Sequence, residues 1–149
     1  MRVVIQRVLN AKVTINEKTY AEINQGLLVF LGIENADTKE DADWLVKKIS
    51  QLRIFSDEDG KMNSSISDIN GAMLIVSQFT LHAKTKKGNR PSFIQAAAPK
   101  YAIPLYEYFI DETKKKGISV CTGEFGANMK IQLINDGPVT ITIDTKNKE

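Results

Sequence analysis

"INDGPVTITID", residues 134–144, decides how the end of this chain is folded. Asn135-Asp136-Gly137 reads as a hairpin turn. Val139, Ile141 and Ile143 then alternate with Thr140, Thr142 and Asp144, the period of a half-buried strand. Pro138 stands at the head of that strand, where it has no N–H to give to a ladder. A turn there separates two strands, 129–135 and 138–145, with a Gly-Pro pair between them that turning alone does not explain.

Working outward, residues 2–9 and 11–16 read as two β-branched strands, and "NEK" (16–18) as a turn. "LLVFLGI" (27–33) is a continuous apolar run, as in a strand buried on both faces. Residues 38–52 have the clearest helical pattern, with Ala42, Leu45, Val46, Ile49 and Leu52 on one face and Thr38 and Asp41 placed as a capping box. "DEDGK" (57–61) is a turn, 63–71 a polar loop, 72–81 a second buried strand and 82–92 a basic loop. A second helix is expected over 99–115, with Ala102, Leu105, Tyr106, Phe109 and Thr113 facing inward. Pro99 suits its first turn, whereas Pro104 predicts a late start or a bend. A strand at 118–122 precedes the final pair. Hairpins mixed with two helices predict one α/β or α+β domain over 1–149, with a mixed or antiparallel sheet.

Composition narrows the chemistry. The chain has 149 residues, 42% hydrophobic and 26% charged, and a net charge of +2, so its overall balance demands no polyanionic partner. A single cysteine, Cys121, excludes an internal disulfide framework, and a single histidine, His82, argues against a transition-metal site. The N-terminal stretch, interrupted by Arg7, Asn10 and Lys12, is neither signal peptide nor membrane span, which predicts a cytosolic protein. "SDEDGKMNSSISD" resembles a calcium loop, but Gly60 falls at the wrong offset and no Glu closes it. No Walker loop, dinucleotide fingerprint or G-x-S-x-G elbow is present.

Any catalysis must therefore use hydroxyls, main-chain groups or the substrate itself. Ser77, Gln78 and Thr80 sit at the end of an apolar strand. They are either a strand end entering solvent or a set of donors aimed into a cleft. Lys84, Lys86, Lys87 and Arg90 follow, with no acidic residue from 77 to 106. They form either a solvated loop or a phosphate contact. His82 reads first as a surface residue and second as a general base. Cys121 reads as core.

Two stretches taken together carry a resemblance. "SQFTL" (77–81) with "KGNRPSF" (87–93), and "GEFGANMKIQLINDGPVTI" (123–141), are similar to the D-aminoacyl-tRNA deacylases, as is the start "MRVVIQRVLNAKVTI". The resemblance implies hydrolysis of the ester joining a D-amino acid, or misplaced glycine, to the 3′ end of tRNA. It also implies a cytosolic homodimer that needs no metal or organic cofactor and engages neither DNA nor a membrane. Its active site would lie at the dimer interface, where Ser77, Gln78, Phe79 and Thr80 of one subunit meet a cis Gly137-Pro138 of the other. Met129 matches a pocket-lining position, and Arg7 one that supports the Gly-Pro motif.

Overall fold

The apolar run becomes β3 (Gly26–Gly32), the central strand of a mixed sheet. In the computed structural model, which describes Met1 to Glu149, only Phe30 of this strand is partly exposed. Burial on both faces requires partners on both edges, since unpaired main-chain groups would be stranded away from water. One edge takes β1 (Arg2–Ile15), antiparallel, with Val3 opposite Leu31. The other takes β6 (Ala72–Ser77), parallel, with Leu28 opposite Leu74. β7 (Ser119–Thr122) continues the sheet parallel to β6. β2 (Lys18–Ile23) folds back on the second half of β1 and also lies against β6 and β7, so the sheet curls until it is nearly closed.

Helices α1 (Lys39–Gln51) and α2 (Pro99–Lys115) pack against each other and cover the main core, which joins Val3, Ile5, Leu27 and Val29 of the sheet to Leu45, Ile49 and Phe109 of the helices. A smaller core that includes Val8, Val13, Leu28 and Val76 lies on the other face. Both helices bury the expected faces, except that Leu52, just past the end of α1, and Leu105 are only partly covered, while Ile110 is buried. No helix is long and apolar enough to cross a membrane.

Several expectations are corrected. β1 is one strand, not two; the break anticipated near Asn10 survives only as register slips around Val8. β2 was not anticipated, because of its six residues only Ile23 is buried. It follows a two-residue hairpin at Asn16 and Glu17, whose φ angles are 48° and 64°. A short hairpin of β4 (Phe55–Ser56) and β5 (Met62–Ser64) takes the start of the expected polar loop. Asp57 of the calcium-like stretch spends its carboxylate on this turn, accepting from the amides of Asp59 and Lys61. α2 begins at Pro99 and runs through Pro104. Lys100 and Pro104 are both exposed, so water can take the carbonyl that the proline leaves unpaired. Cys121 is partly buried on β7 and packs against the edge of the smaller core.

The second buried strand ends at Ser77, not at residue 81. The Gln78 amide donates to Leu31 O at 2.8 Å, and the chain then leaves the sheet in a 3₁₀ turn, Phe79–His82. His82, expected at the surface, is buried at 1% exposure, and neither ring nitrogen has a hydrogen-bond partner.

A polar latch holds the C-terminal segment to α1. Lys146 Nζ donates to both carboxylate oxygens of Asp41, at 3.0 and 2.9 Å, while Asp41 also accepts from the Thr38 amide at 2.9 Å. Burial alone would raise the Asp41 carboxyl, but the hydrogen bonds from Lys146, Thr145 and Thr38 outweigh it and hold the group well below its ordinary value. A depressed folded-state value stabilises the fold above the unfolded value of about 3.9, and the gain is lost as pH falls toward the folded value. Asp41→Asn is therefore expected to lower Tm by about 2–4 °C at neutral pH. That deficit should shrink in thermal melts taken below about pH 4. A deficit constant with pH would show that the charge is not what latches the segment.

Candidate active site

β8 (Lys130–Asp144) answers the question raised by the Gly-Pro pair. The chain does not reverse at Asn135-Asp136-Gly137. β8 is one strand, antiparallel to β1 from Thr14↔Lys130 to Arg2↔Asp144. Between the pairs Val8↔Asn135 and Gln6↔Thr140 only Arg7 stands on β1, while Asp136, Gly137, Pro138 and Val139 stand on β8. The surplus residues leave the ladder as a bulge, so a proline without an N–H costs nothing there. The Gly137-Pro138 peptide is cis, and both residues are exposed.

Arg7 supports this bulge from beneath. Its side chain is buried, and Nε donates to Asp136 O at 3.1 Å and lies 3.2 Å from Asp136 Oδ2. Nη1 donates to Ile54 O at 2.6 Å. A guanidinium presents a planar fork of donors, so one side chain can fix the bulge to the corner that follows α1. Gly137 has φ +131°, and a Cβ there would lie 2.8 Å from Val139 Cγ2 and 3.0 Å from Arg7 Nη2. The tight seat explains the glycine.

The second group of residues lies at the end of β6. Ser77, Gln78 and Phe79 line a cavity of about 290 Å³ together with Met129, Ala102 and Phe125. Its lining is mostly apolar, with polar groups concentrated at the strand end. Met129 is seated over Gly123, where a Cβ would come within 2.5 Å of its sulfur. Phe125 stacks edge-on with Tyr106, whose hydroxyl donates to Ile75 O at 2.9 Å. Burial pushes the Tyr106 phenol far above its ordinary value, so it is a fixed donor rather than an acid or base.

Thr80 is exposed, and its Oγ1 accepts from Gln78 Nε2 at 2.6 Å. Phe79 and Thr80 open the 3₁₀ turn, which supplies no acceptor of its own for their N–H groups. Phe79 is 55% exposed and stacks edge-on with Phe93 at 5.0 Å. The basic loop is pinned beside it, since Lys84 and Ser92 exchange backbone hydrogen bonds at 2.8 and 3.0 Å. Lys84, Lys86, Lys87 and Arg90 are all exposed.

One chain thus brings together the strand-end residues, Met129 and the base of the cationic loop. Gly137, Pro138 and Arg7 form a separate station that does not line the cavity. Sequence reading missed Phe125 as a cavity wall, and it missed Asp136 as the partner of Arg7.

A hydroxyl, a carboxamide and main-chain donors stand beside a largely apolar cavity. The family model described as D-Tyr-tRNA(Tyr) deacylase matches residues 4–144. A D-aminoacyl-tRNA deacylase of Azobacteroides pseudotrichonymphae is 62% identical and one of Phocaeicola vulgatus 60% identical, each over the whole of both chains. A solved structure called c-Myc DNA Unwinding Element Binding Protein has 38% identity and a TM-score of 0.91, covering 97% of this chain and 98% of its own. A second, of a probable eukaryotic D-amino acid tRNA deacylase, shares the fold at a TM-score of 0.82 and 20% identity, covering 95% and 97%. The chain belongs to the D-aminoacyl-tRNA deacylase family.

Proposed function

We propose that this protein is a cytosolic homodimer that cleaves the ester of D-aminoacyl-tRNA, and of glycine misplaced on tRNA, releasing the free amino acid. One observation carries the reading. The strand-end donors line a cavity, whereas Gly137 and Pro138 stand exposed on a supported bulge that contributes nothing to that cavity in its own chain. A second copy would bring a bulge to each cavity. Lys84, Lys86, Lys87 and Arg90, beside the cavity rim, would meet tRNA phosphates. The reading requires no metal or organic cofactor, no DNA and no membrane.

The selection problem is to test one stereocentre while accepting many side chains. A side-chain pocket reads size and polarity and cannot do that. A main-chain wall can. With the ammonium, ester and Cα fixed, inverting Cα exchanges the directions of hydrogen and side chain. The D side chain then points away and the L side chain strikes the wall, which is rejection by clash. Glycine has nothing to strike and passes. Main-chain carbonyls of the bulge suit the substrate ammonium, because they are acceptors. Ester cleavage develops negative charge on the carbonyl oxygen, which donors at Phe79 and Thr80 would stabilise.

Incubation with D-tyrosyl-tRNA and L-tyrosyl-tRNA tests the reading. The D ester should disappear at least about 10²-fold faster, a factor worth about 2.7 kcal/mol in the transition state. Equal rates would reject the handedness mechanism. Salt-sensitive tRNA binding without ester loss would make the protein a binding module instead.

A further inference from the structure

We propose that Asn135 is a positioning residue whose carboxamide closes the neck of the bulge and so sets where Gly137 and Pro138 stand. The inference rests on the reading of the site given above. Four residues of β8 face one residue of β1, so the ladder cannot hold the excursion in shape. Asn135 Nδ2 donates to Arg7 O at 2.9 Å and to Val139 O at 3.0 Å. The first acceptor is on the opposite strand, where the ladder is interrupted. The second is at the far end of the bulge. The two hydrogens of one amide therefore tie together the entry of the bulge, its exit and the strand beneath it.

Arg7 grips the same excursion from within, through Asp136 O and Asp136 Oδ2. The two side chains divide the work. Arg7 fixes the first bulge residue to the body of the protein, and Asn135 fixes the distance between the two ends. Gly137 and Pro138 have no side chain that could do either. Both acceptors of Asn135 are carbonyl oxygens, so only a group that donates twice can sit there. Aspartate has the same shape and would set oxygen against oxygen. Alanine would leave both carbonyls without this donor. Glutamine keeps the two donors but carries them one methylene too far.

Asn135→Ala and Asn135→Asp are tested on D- and L-tyrosyl-tRNA. A shift of the bulge misplaces the ammonium contact and the steric wall together. The expected result is a fall of about tenfold or more in kcat/KM on the D ester, with the L ester falling less or rising. The D/L ratio then drops by at least about tenfold. Loss of folded protein would lower both rates by one factor, so parallel losses, like an unchanged ratio, would overturn the role of Asn135. A wild-type protein that spares D-tyrosyl-tRNA would overturn the reading of the site, and the role with it. Should the variants fail to fold, side-chain amide exchange in ¹⁵N-labelled wild-type protein decides. Both carboxamide hydrogens of Asn135 should exchange at least about tenfold more slowly than those of exposed Asn24. Equal rates would show that the neck is open.

Discussion

Gly137→Ala is expected to lower kcat/KM on D-tyrosyl-tRNA by about 10²-fold and to erode the D/L ratio, in a protein that remains folded at the assay temperature. A φ of +131° is a conformation that side-chain-bearing residues rarely adopt, so alanine is strained there before any contact is counted. Its Cβ would also lie 2.8 Å from Val139 Cγ2 and 3.0 Å from both Val139 N and Arg7 Nη2. One of these neighbours is main chain and another is the guanidinium that supports the bulge, so neither yields freely. The bulge itself must move. Positioning errors of about 1 Å at a reacting centre cost about 10² in rate, and the same displacement pulls the proposed steric wall away from the L side chain. Rates on both esters, with circular dichroism confirming the fold, check this. Activity within about threefold of wild type would place Gly137 outside the reaction centre.

How much of this was legible depended on whether the signal was local. β3 and α1 could be read almost residue by residue, because a continuous apolar run and a 3.6-residue period belong to single segments. β2 could not, since its place comes from pairing with β1 and its residues bury little of their own surface. Strand β6 was read too long. "SQFTL" keeps strand-like composition, but β3 and its extension offer the chain a last rung only at Gln78. The burial of His82 follows from that turn and has no mark in the sequence.

The bulge is the instructive error. Asn-Asp-Gly-Pro has the chemistry of a turn, because the same residues that reverse a chain also let it leave a ladder and return. The neighbouring strand decides which occurs, and β1 runs past both halves of β8 without a break. The candidate site was reached through the resemblance of two separated motifs. Periodicity alone left Ser77, Gln78 and Thr80 as either a solvated end or a cleft. The structure puts the first two in a cavity wall and ties Thr80 to Gln78. It also gives Asn135, part of the expected turn, two main-chain acceptors.

Thr80→Ala is expected to reduce kcat on D-tyrosyl-tRNA by about 10²-fold while KM stays within about threefold, because one oxyanion donor is typically worth about 2.7–4 kcal/mol in the transition state and little in the ground state. The hydroxyl has two possible uses, and its hydrogen bond separates them. A nucleophile needs a base to take its proton. Thr80 Oγ1 instead accepts from the Gln78 amide at 2.6 Å, a bond that withdraws charge from the oxygen and leaves its own hydrogen free to donate. Thr80→Ser, which keeps the hydroxyl and loses the methyl, should therefore retain most of the rate, and Gln78→Ala should fall between serine and alanine because the hydroxyl then rotates. Pre-steady-state kinetics separate the roles independently. A covalent ester on Thr80 would release tRNA in a burst ahead of the amino acid. Donation to an oxyanion predicts release of the two products in step, with water rather than threonine forming the new bond to the carbonyl carbon. A burst would make Thr80 the attacking group and would require a base that the Gln78 contact does not provide. Unchanged kcat in Thr80→Ala would leave the main-chain N–H groups of the turn as the only donors at the oxyanion.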